Sequence, residues 1–260
     1  MGLMSLTRKV FLFITLPLLL LFGISMFLVL GSKGDRTTTG NNSPMTPGKD
    51  CPALVIPVDT GLVTSVLYPG QVRGGDYKPH GGFRLDNLGT NLVNVRAPLD
   101  ARITLASRYL EMDEVQYLFE FENDCGLKYR FDHLKTLSSK LQAIAEKLPE
   151  AKIDDSRTSR VSGKISVTAG EVVATSVGFE KSPDDSSRPN VGFDFGLYDT
   201  RQKNESSKDS AWVAAHEEDG DQAIYAVCWL DDWLPASDAK ILKALPGGDS
   251  VSGKKSDYCK

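Results

Sequence analysis

Two stretches of strict alternation constrain this chain more than anything else in it. In Val115 to Glu122 (VQYLFEFE), residues Val115, Tyr117, Phe119 and Phe121 fall on one side. In Leu127 to His133 (LKYRFDH), Leu127, Tyr129, Phe131 and His133 do the same, opposed to Lys128, Arg130 and Asp132. Side chains of a strand alternate between faces, so the two arms around Asn123-Asp-Cys-Gly126 read as an antiparallel hairpin with one wall in a core. His133 ends the core-facing series and is expected at its rim. Neighbouring segments continue the theme. Asn94 to Ser107 reads as two short strands around a Pro-Leu-Asp turn, and Ile165 to Gly178 as strand, glycine turn, strand. Asn190 to Tyr198 places Asn190, Gly192 and Asp194 opposite Val191, Phe193 and Phe195, and Ala223 to Leu230 reads as the last strand. Asp154 to Gly163 is a polar loop. Leu134, Leu137, Leu141, Ile144 and Leu148 follow helical spacing, with Ser139 to Gln142 as a capping box and Pro149 as a stop. A short helix is expected over Asp238 to Leu245. The fold class is therefore mainly β, built of antiparallel sheets with one amphipathic helix.

Val10 to Leu30 is an apolar run without a charge, long enough to cross a bilayer and longer than the apolar region of a cleaved signal peptide. Arg8 and Lys9 precede it, which leaves residues 1–9 in the cytoplasm and makes 10–30 a transmembrane signal anchor; a removed signal peptide is the alternative. Residues 31–50, rich in Gly, Ser, Thr, Pro and Asn, read as a flexible tether, and the extracytoplasmic domain as 51–260. Its four cysteines, Cys51, Cys125, Cys228 and Cys259, contain no C-x-x-C pair, so they suggest two disulfides of an exported domain rather than a zinc ribbon. Three pairings are open; Cys228 with Cys259 is preferred because it would tie down a Gly/Ser-rich tail. The net charge of -4, without a basic stripe, argues against a nucleic-acid surface.

Chemistry concentrates in Asp76-Tyr-Lys-Pro-His-Gly-Gly-Phe-Arg-Leu-Asp86, which holds one of only three histidines. On an extended backbone His80, Gly82, Arg84 and Asp86 share one face. Arg73, Tyr77 and Lys78 are placed to line the same groove. His216, in an acidic stretch lacking H-E-x-x-H, reads as a surface residue, and no P-loop, G-x-G-x-x-G or G-x-S-x-G is present.

The order of motifs resembles the lysostaphin-type zinc endopeptidases of bacterial cell walls. Their pattern is H-x-G-x-D, then APxDGxV, Y-x-H-L, a G-x-x-I-G-x-x-G segment, and P-H-x-H-F-E. Here stand HGGFR (His80 to Arg84), APLDARI (Ala97 to Ile103), FDHL (Phe131 to Leu134), GEVVATSVG (Gly170 to Gly178) and PNVGFD (Pro189 to Asp194), so the resemblance spans about residues 67–198. It implies a duplicated-hybrid-motif architecture. It also implies a degenerate site: His80 matches the first zinc ligand and His133 the Y-x-H-L histidine. Arg84 stands for the acidic ligand, and Asn190 and Gly192 for the two histidines of H-x-H.

Catalytic zinc keeps three protein ligands and an open position for water, and two of the three matching positions no longer offer one. The favoured expectation is a pseudoenzyme in which the Arg84 guanidinium, paired with Asp86 or Asp194, replaces the ion. Its groove, formed by His80, Arg84, Asp86, His133, Asn190 and Asp194, would bind cell-wall peptide or glycan, or dock an envelope hydrolase. The rival is an active zinc endopeptidase of peptidoglycan with ligands rebuilt from His80, Asp86, His133 and Asp194 and with His133 beside the attacking water. A structural envelope protein is the third reading.

Overall fold

The computed structural model describes residues 51–183, 185–231 and 233–260. The run Val10 to Leu30 and the tether lie outside these. Among the described residues no helix is long and apolar enough to cross a membrane.

Among the described residues twelve strands carry the fold: β1 (Ser65–Leu67), β2 (Gln71–Arg73), β3 (Asp76–Lys78), β4 (Gly81–Arg84), β5 (Leu92–Arg96), β6 (Ala101–Glu111), β7 (Glu114–Glu122), β8 (Leu127–Leu137), β9 (Ser159–Arg160), β10 (Ser166–Val167), β11 (Val172–Val177) and β12 (Gly192–Asp199). Ten form one antiparallel sheet with the path β1-β4-β12-β8-β7-β6-β10, while β11 bridges β8 to β5 and β9 joins β6. The mainly β expectation holds. The hairpin β2–β3 stands apart, closed by Gly74 and Gly75 at φ +61° and +94°, values that glycine reaches without a Cβ clash.

The hairpin of alternating arms is β7–β8, with Phe119 opposite Phe131 and Phe121 opposite Tyr129. Its core wall is real: Phe121 stacks on Tyr129 at 4.6 Å, and Phe131 packs on Phe193 and Phe195 of β12. The wall ends sooner than the alternation implies, because Val115 is exposed while Gln116 and Leu118 are buried. Between the pairs Phe119–Phe131 and Tyr117–Leu134, the two residues Asp132 and His133 stand opposite Leu118 alone. This is a β-bulge, with His133 at φ +60°, and it brings Leu134 onto the core side that Phe131 occupied before it. Leu137 is buried as well, beyond further register shifts where β8 pairs β11. The two leucines do not begin the helix, as their spacing suggests; α1 starts a turn later (Ser139–Ala145), and Ser138 makes no side-chain cap.

Among the described residues the amphipathic helix is present in shortened form as α1, and three further α-helices follow: α2 (Ser210–Ala215), α3 (Gly220–Tyr225) and α4 (Ala236–Ala244). The last is the helix read near Asp238. The supposed strand Ala223 to Leu230 is instead the end of α3 followed by an irregular segment. That segment buries Trp229 completely against Phe83 and Phe195, so its apolar run serves the core without pairing as a strand. The polar stretch 154–163 holds the two-residue strand β9. Disulfides join Cys228 to Cys259, as preferred, and Cys51 to Cys125.

Candidate functional site

Three neighbouring strands build the site. β12 lies between β4 and β8, with Asp194 the register partner of Gly82 on one side and Asp132 on the other. Phe193, Phe195 and Leu197 of β12, with Val191 just before it, point into the core, which turns Gly192, Asp194, Gly196 and Tyr198 to the opposite face. Small residues make room there. A Cβ at Gly196 would stand 3.0 Å from both the His80 Cβ and the Arg130 Cγ, and one at Gly82 would stand 3.0 Å from the Asp194 Oδ1.

Asp194 is the hub. Its Oδ2 lies 2.8 Å from His80 Nε2 and 3.9 Å from His133 Nε2. On its other side the His133 ring places Nδ1 3.8 Å from the Glu111 carboxylate and 3.5 Å from the Tyr109 hydroxyl. Beneath runs a buried polar layer: Arg130 donates to Asp132 at 2.7 Å, Tyr109 donates to the same carboxylate at 2.6 Å, and Arg73 donates to the His80 carbonyl at 3.0 Å. Two cavities open on this face. One, of about 520 Å³, is lined by Tyr77, Lys78, His80 and Asp219 among others. The other, of about 140 Å³, is lined by Arg84, Asn190 and Gly192, and both share Glu111, His133 and Asp194.

Of the six residues expected in the groove, five line these cavities and Asp86 does not. Its carboxylate is held by Arg84 Nη2 at 2.5 Å and by the Thr64 hydroxyl at 3.1 Å. Arg84 does occupy the gap over Gly192, its register partner, with Cδ 3.5 Å from where a Cβ would be. Its charge nevertheless goes to Asp86 rather than to the hub. The guanidinium groups whose charge acts on Asp194 are Arg73 and Arg130, neither of them within 4.0 Å of it. Arg73 was already a candidate lining residue. Arg130 was hidden on what reads as the solvent face of the hairpin, and only the cover supplied by α3, where Gln222 accepts from it at 3.3 Å, buries it. His216 also departs from a plain surface role: it is half-buried, with its ring 3.9 Å from Tyr77 and 4.3 Å from Trp212.

Electrostatics follow from these neighbours. Burial works to raise the Asp194 carboxyl, but His80, Arg73 and His133 outweigh it and hold it well below the usual carboxylate range. Burial, with Arg130 and Arg73, pushes His80 down to about 4 against the pull of Asp194. Burial also opposes the charge on Arg130, and Asp132 overrides it. Unfolded, His80 titrates near 6.5, so between pH 6.5 and pH 4 the unfolded chain binds the proton first. Stability from this group is complete above pH 6.5 and is lost as pH falls through that window. A urea midpoint measured at pH 7 and pH 5 is expected to drop by the equivalent of about 2 kcal/mol from this group, and His80→Gln to lack that component.

Zinc does not fit this arrangement. His80 Nε2 is already engaged by Asp194, two guanidinium groups flank the pair, and Asp86 is turned away. Among the described residues the one group of three ligand atoms within coordinating distance is Cys228, Asp231 and Cys259, whose sulfurs are joined as a disulfide. What the site offers instead is a concave, charged and hydrogen-bonding surface. No family model, curated protein or solved structure matches the chain.

Proposed function

We propose that this chain is a membrane-anchored, extracytoplasmic domain that binds a cell-wall peptide or glycan in the groove over β4, β12 and β8 without cutting it. The sequence resemblance to lysostaphin-type endopeptidases gives the ligand class, and one observation carries the loss of cutting. His80, which matches the first zinc ligand, is already engaged by Asp194, and the other two matching positions, Arg84 and Gly192, offer no ligand. The positions of the two lost ligands, Arg84 and Gly192, are direct register partners on adjacent strands, which supports reading both motifs as parts of one former site. The two disulfides suit an oxidising compartment outside the cytoplasm.

The test uses the full chain in nonionic detergent with purified peptidoglycan sacculi. Co-sedimentation without release of soluble fragments is expected, weakened by His80→Ala. Clearing of the sacculi together with stoichiometric zinc in the purified protein would establish the peptidase instead. Failure to co-sediment, with groove substitutions altering stability alone, would leave a structural envelope protein.

A further inference from the structure

The hairpin β2–β3 supplies part of the larger cavity's wall, through Tyr77 and Lys78, and carries Arg73, whose charge acts on Asp194. No other strand pairs with it. The segment from Gly247 to Cys259 holds it as a strap. At the near end Gly247 bridges Val66 of β1, and Gly248 N–H donates to the Val66 carbonyl at 2.7 Å. Along its length Ser252 Oγ donates to the Val72 carbonyl at 2.8 Å and Ser256 Oγ to the Pro69 carbonyl. The Tyr258 ring lies so close to Gly70 that a Cβ there would stand 2.8 Å from it. Asp257 accepts the Tyr77 hydroxyl at 2.9 Å and Trp212 Nε1 at 2.7 Å. At the far end Cys259 is joined to Cys228.

That covalent end has open space beside it. Cys228 and Cys259 line a cavity of about 440 Å³, with Lys203, Asp231 and Lys260 also on its wall, and Cys259 is only half-buried. Thiol–disulfide exchange needs room for a thiolate to approach one sulfur of the bond. The other disulfide secures no strap. Cys125 lies in the β7–β8 turn, which Asn123 closes by itself, its N–H donating to the Leu127 carbonyl at 2.8 Å and its Oδ1 accepting the Cys125 N–H at 2.7 Å.

We propose that the Cys228–Cys259 bond is a redox-sensitive latch on the groove, opened by a protein dithiol. One thiolate of that partner bonds to Cys259 Sγ as the S–S bond breaks, and the electron pair leaves on Cys228 Sγ. The partner's second thiolate then attacks its own bridging sulfur, and Cys259 leaves. Two electrons and two protons pass to the cysteines, and the dithiol becomes a disulfide. Hydrogen bonds still hold the freed end, from Ser206 Oγ to the Asp257 carbonyl at 2.7 Å and from the Tyr258 hydroxyl to the Ala223 carbonyl at 3.0 Å. Such contacts open locally once the covalent constraint is gone. The hairpin then loosens, Arg73 and Tyr77 leave their places, and the groove binds wall less tightly; reoxidation restores it. The latch rests on the binding reading above and adds its regulation.

The test treats the full chain in nonionic detergent with graded reduced dithiothreitol under native conditions. Alkylation with iodoacetamide and peptide mass mapping then show which cysteines are free. Cys228 and Cys259 are expected to be labelled at a dose that leaves Cys51–Cys125 intact. At that dose hydrogen exchange over residues 69–79 is expected to quicken at least about tenfold, since opening the staple returns the loop entropy it withheld. Co-sedimentation with sacculi is expected to fall severalfold, and oxidised dithiothreitol to reverse both changes. The paired serine variant of Cys228 and Cys259 is expected to bind sacculi weakly at every dose. Opening of Cys51–Cys125 at the same or a lower dose overturns the latch, as does unchanged exchange in the hairpin once Cys228 and Cys259 are free. Faster exchange with undiminished co-sedimentation also overturns it, because the hairpin then does not govern binding. If the oxidised protein itself fails to co-sediment, the binding reading falls, and the exchange arm alone shows whether the staple holds the hairpin.

Discussion

Asp132→Ala is expected to destabilise the domain by about 3–5 kcal/mol, because it strips a buried guanidinium of its partner. Arg130 and Asp132 are 9 % and 6 % exposed and lie 2.7 Å apart. The same carboxylate takes the Tyr109 hydroxyl at 2.6 Å and the His133 backbone N–H at 2.9 Å, so one deletion leaves three donors short and loosens the bulge that holds His133. Arg130→Met with Asp132→Leu is expected to recover only the part of the loss that comes from the stranded guanidinium, since the Tyr109 hydroxyl and the His133 N–H still lack their acceptor. Arg84→Ala supplies the contrast. Its pair with Asp86 is about a third exposed on both sides, and such pairs contribute at most about 1 kcal/mol. Urea unfolding of the variants ranks them directly. An Asp132→Ala midpoint close to that of the wild type would refute the buried layer as the support of the site.

Removing Cys228–Cys259 by paired serine substitutions is expected to cost about 3–4 kcal/mol from loop entropy for a separation of 31 residues. Its local effect is the more telling one. The hairpin β2–β3 pairs with no other strand and is held by the tail: Gln71 donates to the Gly253 and Lys255 carbonyls, Asp257 N–H donates to the Gly70 carbonyl, and Tyr77 hydrogen-bonds Asp257 and Tyr258. That hairpin carries Arg73 and Tyr77 to the groove. Hydrogen exchange is therefore expected to quicken over residues 69–79 in the double serine variant. Loss of Cys51–Cys125, with a separation of 74, is expected to cost slightly more overall, about 4 kcal/mol, and to leave those amides protected. Equal protection of the hairpin in both variants would show that the tail does not support it.

Local pattern determined a good deal of this protein. Alternation in 115–122 and 127–131 marked the hairpin, and over 119–122 and 127–131 its core wall, because period two admits one face to a core at a time. The same logic put Asn190, Gly192 and Asp194 opposite the core-facing Val191, Phe193 and Phe195, and it placed His80 and Arg84 on one side of β4. The Gly/Ser-rich tail pointed to its own staple. What local pattern does not encode is a shift of register or a cover brought from far along the chain. A bulge at Asp132–His133 and further register shifts against β11 put Leu134 and Leu137 in the core of strand β8 rather than in a helix. The segment 199–260, which carries no alternation, buries Arg130 beneath α3 and fills the core with Trp229. Which cation meets Asp194 was decided in the same way. Arg84 has an acid two residues away and takes it, whereas Arg73 and Arg130, which bind the His80 carbonyl and Asp132, come near enough to act on the hub only through the folding of β2 and β8. Charge pairing depends on distance in space, and sequence spacing reports that distance only within a single strand or helix.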